Sequence, residues 1–257
     1  MTKPVLIILA GGEERGDLYQ KYGYKNKAML PLHGKPMLDW VIEAFHASGA
    51  VEKIVVVGPP ALDGLASIKL VEKRVPSTSN LLRNIVRGIA YINWRYYRKI
   101  SNHPGYVISF CDAVFLNEEI IKDTLKNIQS DTYDLVLHYV EKNTYDKNNI
   151  VAKRTYIPIE GKFYTGSTIY YIRSFRKTLM SAHLLNDLRE RRKDPNGLLS
   201  VLDLEELSLK QIEQAISKRL NGKVAIFVSD HAGLGMDVDK VADYEMAEKL
   251  IPAPQSL

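Results

Sequence analysis

The feature that most constrains the fold is an alternation of short apolar runs with amphipathic segments. The run from Val5 to Leu9 is continuously apolar and ends at a pair of glycines, which indicates a strand buried on both faces of a parallel sheet. Up to about residue 130 the pattern predicts four strands, at 5–9, 53–57, 68–71 and 106–110, and three helices, at 36–49, near 81–89 and from 117 onward. Such an order favours right-handed crossovers, a mostly parallel sheet and ligands beyond the carboxyl ends of the strands.

The helix limits have residue signals of their own. Pro36 is expected to begin the helix predicted at 36–49, and Gly49 is expected to end it. Asn117 is expected to cap the helix that starts after residue 117, and a Ser-Thr-Ser stretch at 77–79 is expected to cap the helix near 81–89. Beyond Asp134 the pattern is less regular, with strands expected at 135–140, 155–159, 168–172 and 224–228 and helices at 174–182, 208–220 and 241–251. We expect one domain over 1–257, with a nucleotide-binding half (1–130) and an acceptor-binding half (131–257).

Composition narrows the class of protein. Hydrophobic residues make up 46% and charged residues 25%, and no apolar run approaches the roughly 20 residues that span a bilayer, so we expect a soluble protein without membrane contact. The first residues lack the pattern of a signal peptide, and we expect a cytoplasmic location. The net charge of +5 suits an anionic ligand, but 35 basic against 30 acidic residues are too balanced to indicate nucleic acid. The single cysteine excludes an intrachain disulfide and a cysteine-only metal site.

A glycine pair follows the first predicted strand, in Leu9-Ala10-Gly11-Gly12-Glu13-Glu14-Arg15-Gly16. Glycines at a strand exit let backbone amides approach a base or a phosphate closely. The spacing does not fit the dinucleotide fingerprint, and the Gly34-Lys35-Pro36 segment lacks the Ser/Thr and the upstream glycine of a Walker motif. Both of these common nucleotide-binding patterns are therefore disfavoured.

The continuation from Asn26 to Leu38 reads NKAMLPLHGKPML, a lysine before a Leu-Pro run and then a Gly-Lys-Pro-Met-Leu segment. In this order of motifs the sequence resembles the sugar-nucleotidyltransferase-like superfamily, in particular the MobA-like nucleotidyltransferases. The resemblance implies a three-layer α/β/α sandwich around a mixed, mostly parallel sheet, the Rossmann-like fold of the nucleotide-diphospho-sugar transferases.

The resemblance also implies roles for the first loop. Leu9, Ala10, Gly11 and Gly12 would contact the nucleotide, with the glycines against the base, and Arg15 and Lys27 would hold the triphosphate. Two cations beside the phosphates would neutralise charge that grows on departing pyrophosphate, and would act mainly in the transition state. A departure from the family pattern is the long, tyrosine-rich stretch between Arg15 and Lys27.

Asp112 follows the fourth predicted strand in SFCDAVFL, where a carboxylate would reach the phosphates as a hard oxygen ligand for Mg²⁺. The segment resembles the family's Cys-Asp-x-Pro-Phe pattern, although Val114 replaces the proline. Taken alone, an aspartate after a strand is more typical of a helix or turn cap. With the resemblance, Asp112 is predicted to bind the metal.

A second carboxylate pair occurs in Met236-Asp237-Val238-Asp239. In an extended segment both aspartates project to the same side, so either can join Asp112 on one ion. The family has a comparable Asp-x-Asp, and the resemblance implies that the second metal ligand comes from it; we favour Asp239 over Asp237. The aspartate that does not bind metal is expected to cap the following helix.

The acceptor side is less clearly marked. Four cations (Lys142, Lys147, Lys153 and Arg154) precede a Gly-Ser-Thr turn, and the family has a substrate-facing turn at the corresponding place. This suggests Arg154, Gly166 and Ser167 as acceptor contacts. The alternative is that the cations are solvated charges on a β-hairpin.

Together these residues predict a Mg²⁺-dependent nucleotidyltransferase that moves a nucleoside monophosphate from an NTP to a phosphorylated small molecule and releases pyrophosphate. The form of the glycine loop favours GTP by a narrow margin. Two other functions stay open: a GT-A-type glycosyltransferase that uses a nucleotide sugar through its Asp-x-Asp, and a non-catalytic nucleotide-binding regulatory module.

Overall fold

The structure is a computed structural model that describes residues 3–97, 104–126, 128, 132–151, 154–173, 191, 194–204, 206 and 208–253. Within these ranges a nine-stranded sheet forms the centre, and a two-stranded ribbon lies apart from it. The sheet strands are β1 (Val5–Leu9), β4 (Ile54–Gly58), β5 (Lys73–Pro76), β6 (Tyr106–Phe110), β7 (Leu135–Glu141), β8 (Ile157–Ile159), β9 (Lys162–Gly166), β10 (Tyr170–Ile172) and β11 (Val224–Ser229), and the ribbon is β2 (Pro31–Leu32) with β3 (Lys35–Pro36).

The strands run in the order β5-β4-β1-β6-β10-β7-β9-β8, with β11 on the other edge of β7. β1 is parallel to β4 and to β6, β4 is parallel to β5, and β7 is parallel to β11. β10 is inserted antiparallel between β6 and β7. Because β1, β4 and β6 are parallel, their carboxyl ends meet at one edge, and the loops that follow β1 and β6 lie side by side there.

Helices cover both faces of this sheet. They are α1 (Asp17–Tyr22), α2 (Met37–Ser48), α3 (Leu81–Ile92), α4 (Glu118–Lys126), α5 (Lys142–Lys147), α6 (Pro195–Leu202), α7 (Leu209–Leu220) and α8 (Val241–Leu250). Alternate residues of β1 enter different apolar clusters: Leu6 belongs to the cluster that contains Phe45 of α2, and Ile7 belongs to the cluster that contains Ile89 of α3. The predicted α/β/α sandwich with its mixed, mostly parallel sheet is confirmed. Among the described residues, no helix is long and apolar enough to cross a bilayer.

The strand predicted at 68–71 is wrong. Residues Ala66–Leu70 form a 3-10 turn, and the strand is the more polar segment Lys73–Pro76 at the sheet edge. The turn is fixed because the backbone N–H and hydroxyl of Ser67 donate to the buried Asp39 carboxylate of α2. The apolar side chains of residues 66–70 therefore pack on α2 and not in the sheet. A short apolar run in the sequence does not distinguish these two environments.

The predicted ends of the other helices and strands differ less from the observed ones. Asn80, not the preceding Ser-Thr-Ser stretch, caps α3 by accepting the N–H of Arg83 at 2.9 Å. Pro36, Gly49 and Asn117 act as predicted, and Gly49 has the left-handed conformation (φ 59°) that ends α2. The strands expected at 155–159 and 168–172 are shorter, and the helix expected at 174–182 lies outside the described residues.

Candidate active site

The glycine loop leaves β1 at the sheet edge. The N–H of Ala10 still donates to Val57 of β4 at 2.9 Å, after which the chain turns away from the sheet. A Cβ added at Gly11 would lie 2.4 Å from the Cβ of Ser77, whereas one at Gly12 would meet nothing within 4 Å. Gly11 thus permits close packing against the loop before α3, and Gly12 presents open backbone.

The loop before α3 is held beside Gly11 by Asn84, a residue for which the sequence reasoning gave no role. Its side-chain oxygen accepts the N–H of Thr78 at 2.7 Å and its amide donates to the Thr78 carbonyl at 2.9 Å. Asn84 is buried. Asn84 lies on the buried side of α3, among the apolar residues that face the sheet. A buried amide needs hydrogen-bond partners, so an asparagine at such a position in the sequence indicates a structural hydrogen bond.

Asn26 fixes the position of Lys27 relative to the glycine loop. The Asn26 amide donates to the Ala10 carbonyl at 2.9 Å, and its side-chain oxygen accepts the N–H of Ala28 at 2.8 Å, which caps a short 3-10 turn. Sequence reasoning missed this role too, although asparagine is a preferred N-cap residue.

The Lys27 ammonium lies among three carboxylates from distant parts of the chain. Its Nζ is 2.5 Å from Asp239 Oδ1, 3.1 Å from Asp112 Oδ2 and 3.9 Å from Glu14 Oε2. The segments carrying Asp112 and Asp239 are joined directly, because the N–H of Val238 donates to the Asp112 carbonyl at 3.0 Å. The structure therefore brings together Lys27, Asp112 and Asp239, as the sequence predicted, and adds Glu14.

Burial and charge act against each other in this cluster. Burial raises the pKa of Asp112 to about 6, with Lys27 opposing the rise and Asp237 and Asp239 adding to it. Burial would lower the pKa of Lys27, but the carboxylates of Asp112 and Asp239 outweigh it and the pKa is raised. Lys27 thus stays cationic at neutral pH.

Asp237 has a different partner from Asp239. A guanidinium nitrogen of Arg154 lies 2.5 Å from Asp237 Oδ1. Burial raises the pKa of Asp237, and Arg154 opposes that rise. The carboxylate that caps α8 belongs to Asp243, which accepts the N–H groups of Asp239 (3.2 Å) and Lys240 (3.0 Å). The expectation that one member of the Asp-x-Asp serves as the helix cap is therefore wrong, since Asp237 is engaged with Arg154.

Arg15 is not part of the cluster. Its side chain is 85% exposed, and its guanidinium lies 2.9 Å from the exposed carboxylate of Glu13. The structure thus places Lys27, one of the two predicted phosphate-binding cations, at the centre of the cluster, and Arg15, the other, at the exposed surface of the glycine loop.

The predicted acceptor residues are divided between surface and interior. Gly166 ends β9 opposite Tyr139 and is exposed. Ser167 is buried, donating its hydroxyl to the Ile169 carbonyl at 2.7 Å and its N–H to the His138 carbonyl at 3.0 Å, so its side chain stabilises the turn. Of the other cations, Lys142 and Lys147 belong to α5 and not to a hairpin, and Lys153 lies outside the described residues.

Comparison with known proteins identifies the family. The sequence matches the MobA-like NTP transferase domain over residues 6–211, which is most of the chain. The chain belongs to the MobA-like NTP transferase family. No protein of curated function matches the sequence. The resemblance to the MobA-like nucleotidyltransferases, which the motifs indicated, is thereby confirmed. The protein is a nucleotide-binding transferase of the nucleotidyltransferase type.

Solved structures agree with the family. A hypothetical transferase from Thermus thermophilus shares 26% identity with a TM-score of 0.75, covering 95% of this chain and 100% of that one. A CMP:2-keto-3-deoxy-manno-octonic acid synthetase complexed with CTP shares 15% identity (TM-score 0.59; 97% and 98% covered). A 4-diphosphocytidyl-2C-methyl-D-erythritol synthase from Anaerococcus prevotii shares 12% identity (TM-score 0.57; 96% and 95% covered). The last two show the shared fold alone.

Asp239 lies beyond the part of this MobA-like transferase that matches the family, which ends at residue 211. Asp239 lies in the site because the 237–239 segment is hydrogen-bonded to the chain at the end of β6, where the N–H of Val238 donates to the Asp112 carbonyl. The Asp112 and Asp239 carboxylates meet on one ammonium, and hard oxygen ligands of this kind fit Mg²⁺, which completes its coordination with water and phosphate oxygens. Within the described residues, no group of three or more His, Cys, Asp or Glu side chains forms a metal site by itself.

Proposed function

We propose that this MobA-like transferase is a Mg²⁺-dependent nucleotidyltransferase that moves a nucleoside monophosphate from an NTP to a phosphorylated small molecule and releases pyrophosphate. The observation that carries the proposal is the contact of the Lys27 ammonium with both Asp112 and Asp239, directly beside the glycine loop. A cation and two hard carboxylates at the carboxyl edge of a parallel sheet suit phosphate chemistry.

On the donor side, Gly11 and Gly12 would hold the base, Leu9 and Ala10 would be the other nucleotide contacts of the loop, and Lys27 and Arg15 would bind the triphosphate. Asp112 and Asp239 would hold Mg²⁺, and Asp237 is the weaker candidate because Arg154 pairs with it. When bound, Mg²⁺ would polarise the phosphate and stabilise the leaving pyrophosphate.

In the reaction, a phosphate oxygen of the acceptor attacks the α-phosphorus of the NTP. A new P–O bond forms, the bond between the α- and β-phosphates breaks, and its electron pair leaves with pyrophosphate. The chain supplies no covalent nucleophile: Lys27 offsets the charge that grows on the leaving group, and the rate comes from positioning and electrostatics. Arg154 and Gly166 would contact the acceptor, with Ser167 holding the turn that connects β9 to β10.

We propose GTP as the preferred donor, on the form of the glycine loop. The synthetase neighbour was solved with CTP, so a pyrimidine donor is the specific competitor to test. A ligand that binds only the folded state raises the melting temperature, and at equal concentration the ligand that binds more tightly raises it more. We expect GTP with Mg²⁺ to give the largest shift among the four NTPs, and a larger shift with CTP would contradict the proposal.

The reaction itself is tested by pyrophosphate release. Each NTP with Mg²⁺ is incubated with a panel of phosphosugars, phosphopolyols, molybdopterin and phospholactate, and we expect release that needs both one NTP and one acceptor. Tight NTP binding without turnover across the panel would favour the regulatory module instead. Transfer from a nucleotide sugar without pyrophosphate would indicate the glycosyltransferase.

A further inference from the structure

The glycine loop carries two carboxylates of its own beside the cations assigned to the triphosphate. Glu13 pairs with Arg15 at the surface, where the side chains are 70% and 85% exposed. Glu14 points inward and is only 12% exposed. Neither the motifs nor the proposed reaction gives Glu14 a function, although it lies inside the donor site.

The Glu14 carboxylate contacts two groups with which proteins usually bind phosphate. Its Oε1 accepts the backbone N–H of Gly16 at 2.6 Å, and its Oε2 lies 3.9 Å from the Lys27 ammonium. Its own N–H donates to the Lys25 carbonyl at 2.7 Å, which fixes the residue against the segment that carries Lys27. Backbone amides of a glycine-containing loop and a lysine ammonium are typical phosphate donors.

We propose that Glu14 is an internal competitor of the triphosphate and thereby sets the affinity for the nucleotide. The inference rests on the proposed function, since it takes Lys27 as a phosphate-binding group. Without a nucleotide, the carboxylates of Glu14, Asp112 and Asp239 surround the one ammonium of Lys27. A free triphosphate adds further negative charge to this cluster and must displace Glu14, whereas an NTP that arrives with a divalent cation meets less repulsion.

The substitution Glu14→Gln isolates the charge. Glutamine has the same size and keeps an oxygen that accepts the Gly16 N–H, so the loop conformation is preserved. We measure binding of inorganic tripolyphosphate and of each NTP by titration calorimetry, once in EDTA and once in Mg²⁺. We expect binding in EDTA to become roughly tenfold tighter, because like charges placed together cost affinity, with a smaller gain in Mg²⁺ and in high salt.

Glu118→Gln is the matched control. It removes a carboxylate from an exposed ion pair with Lys122, which involves neither of the cations assigned to the triphosphate, so we expect a change below about twofold. Glu14→Ala, which removes the charge and the hydrogen bond together, is the second variant should Glu14→Gln not fold, and it is also expected to bind more tightly.

Unchanged or weaker binding of tripolyphosphate in EDTA by folded Glu14→Gln would overturn the inference. Weaker binding confined to Mg²⁺, with no gain in EDTA, would also overturn it, since Glu14 would then support the metal complex. The two proposals fail differently. Wild-type protein that binds no NTP and releases no pyrophosphate would contradict the proposed function, whereas turnover with no gain from Glu14→Gln would contradict this inference alone.

Discussion

At the scale of single residues, Lys27 connects the parts of the site. It follows a capping asparagine tied to Ala10, and its ammonium reaches carboxylates that lie 85 and 212 residues away in sequence. The order of motifs pointed to Lys27, Asp112 and Asp239, which the structure brings together, and their roles in binding and catalysis stay predictions. The sequence did not predict roles for Asn26, Asn84 and Glu14. These roles depend on which loops contact each other in the fold, and the type of a residue does not indicate this.

Replacing Asp112 with asparagine tests the metal assignment. We expect Asp112→Asn to lower Mg²⁺-dependent turnover by at least about 100-fold, since the amide keeps the shape but loses the charge that holds the cation. The melting temperature should not fall, because burial already disfavours the charged form of Asp112. Asp146→Asn, in an exposed pair with Lys142, is the control and should have wild-type turnover. Unchanged activity of Asp112→Asn would remove Asp112 from the metal site.

Lys27→Ala separates ground-state binding from transition-state stabilisation. We expect kcat to fall by about 100-fold and NTP affinity by much less, since charge on the leaving pyrophosphate grows only during the reaction. Steady-state kinetics with titration of the NTP give both quantities. Lys122→Ala, an exposed lysine paired with Glu118, is the control. A loss confined to affinity would mean that Lys27 acts before the transition state only.

At the scale of secondary structure elements, the site depends on two loops that pack at the sheet edge. The loop after β1 and the loop before α3 approach so closely at Gly11 that a Cβ would lie 2.4 Å from that of Ser77. Most elements were predictable because apolar spacing and end residues agree, as in β1 and α2. The strand at 73–76 was missed because edge strands need no continuous apolar run, and the apolar turn before it packs on α2.

Gly11→Ala with a compensating change tests this contact. Gly11→Ala is expected to lower the free energy of unfolding by about 1–3 kcal/mol through overpacking, and to weaken NTP binding as the loops separate. Ser77→Gly removes both Ser77 atoms that the new methyl group would meet within 3 Å. The double variant should therefore recover most of the stability and affinity in urea unfolding and NTP titration. Equal defects in the single and double variants would show that the loops are not in contact.

At the scale of the whole molecule, the sheet joins a parallel half, which bears the glycine loop and Asp112, to a half where β10, β7 and β9 alternate in direction. Alternation of strands and helices predicted β1, β4 and β6 of the first half, but not β5. The second half depends on pairing between strands far apart in sequence, which local patterns specify poorly. Division of the chain into donor and acceptor halves stays a prediction.

His138 of β7 makes the stability of this sheet depend on pH. Burial lowers its pKa from 6.5 to about 4. Between these values the unfolded chain binds a proton that the folded protein does not, so stability present above pH 6.5 is lost on acidification, by about 3 kcal/mol at pH 4. We expect His138→Leu to lose less stability than wild type between pH 7 and pH 4 in urea unfolding. An unchanged slope in His138→Leu would contradict the assignment.

The sequence distances between Lys27, Asp112 and Asp239 have a consequence for how the protein folds. We expect the contacts that close loops of 85 and 212 residues to form late, because chain entropy opposes them until the intervening structure is in place. We therefore expect the helices and the β1–β4 pairing to form before the ion cluster. Under the proposed function, NTP binding reports that the cluster has formed, and in refolding we expect it to recover after the helical circular dichroism signal.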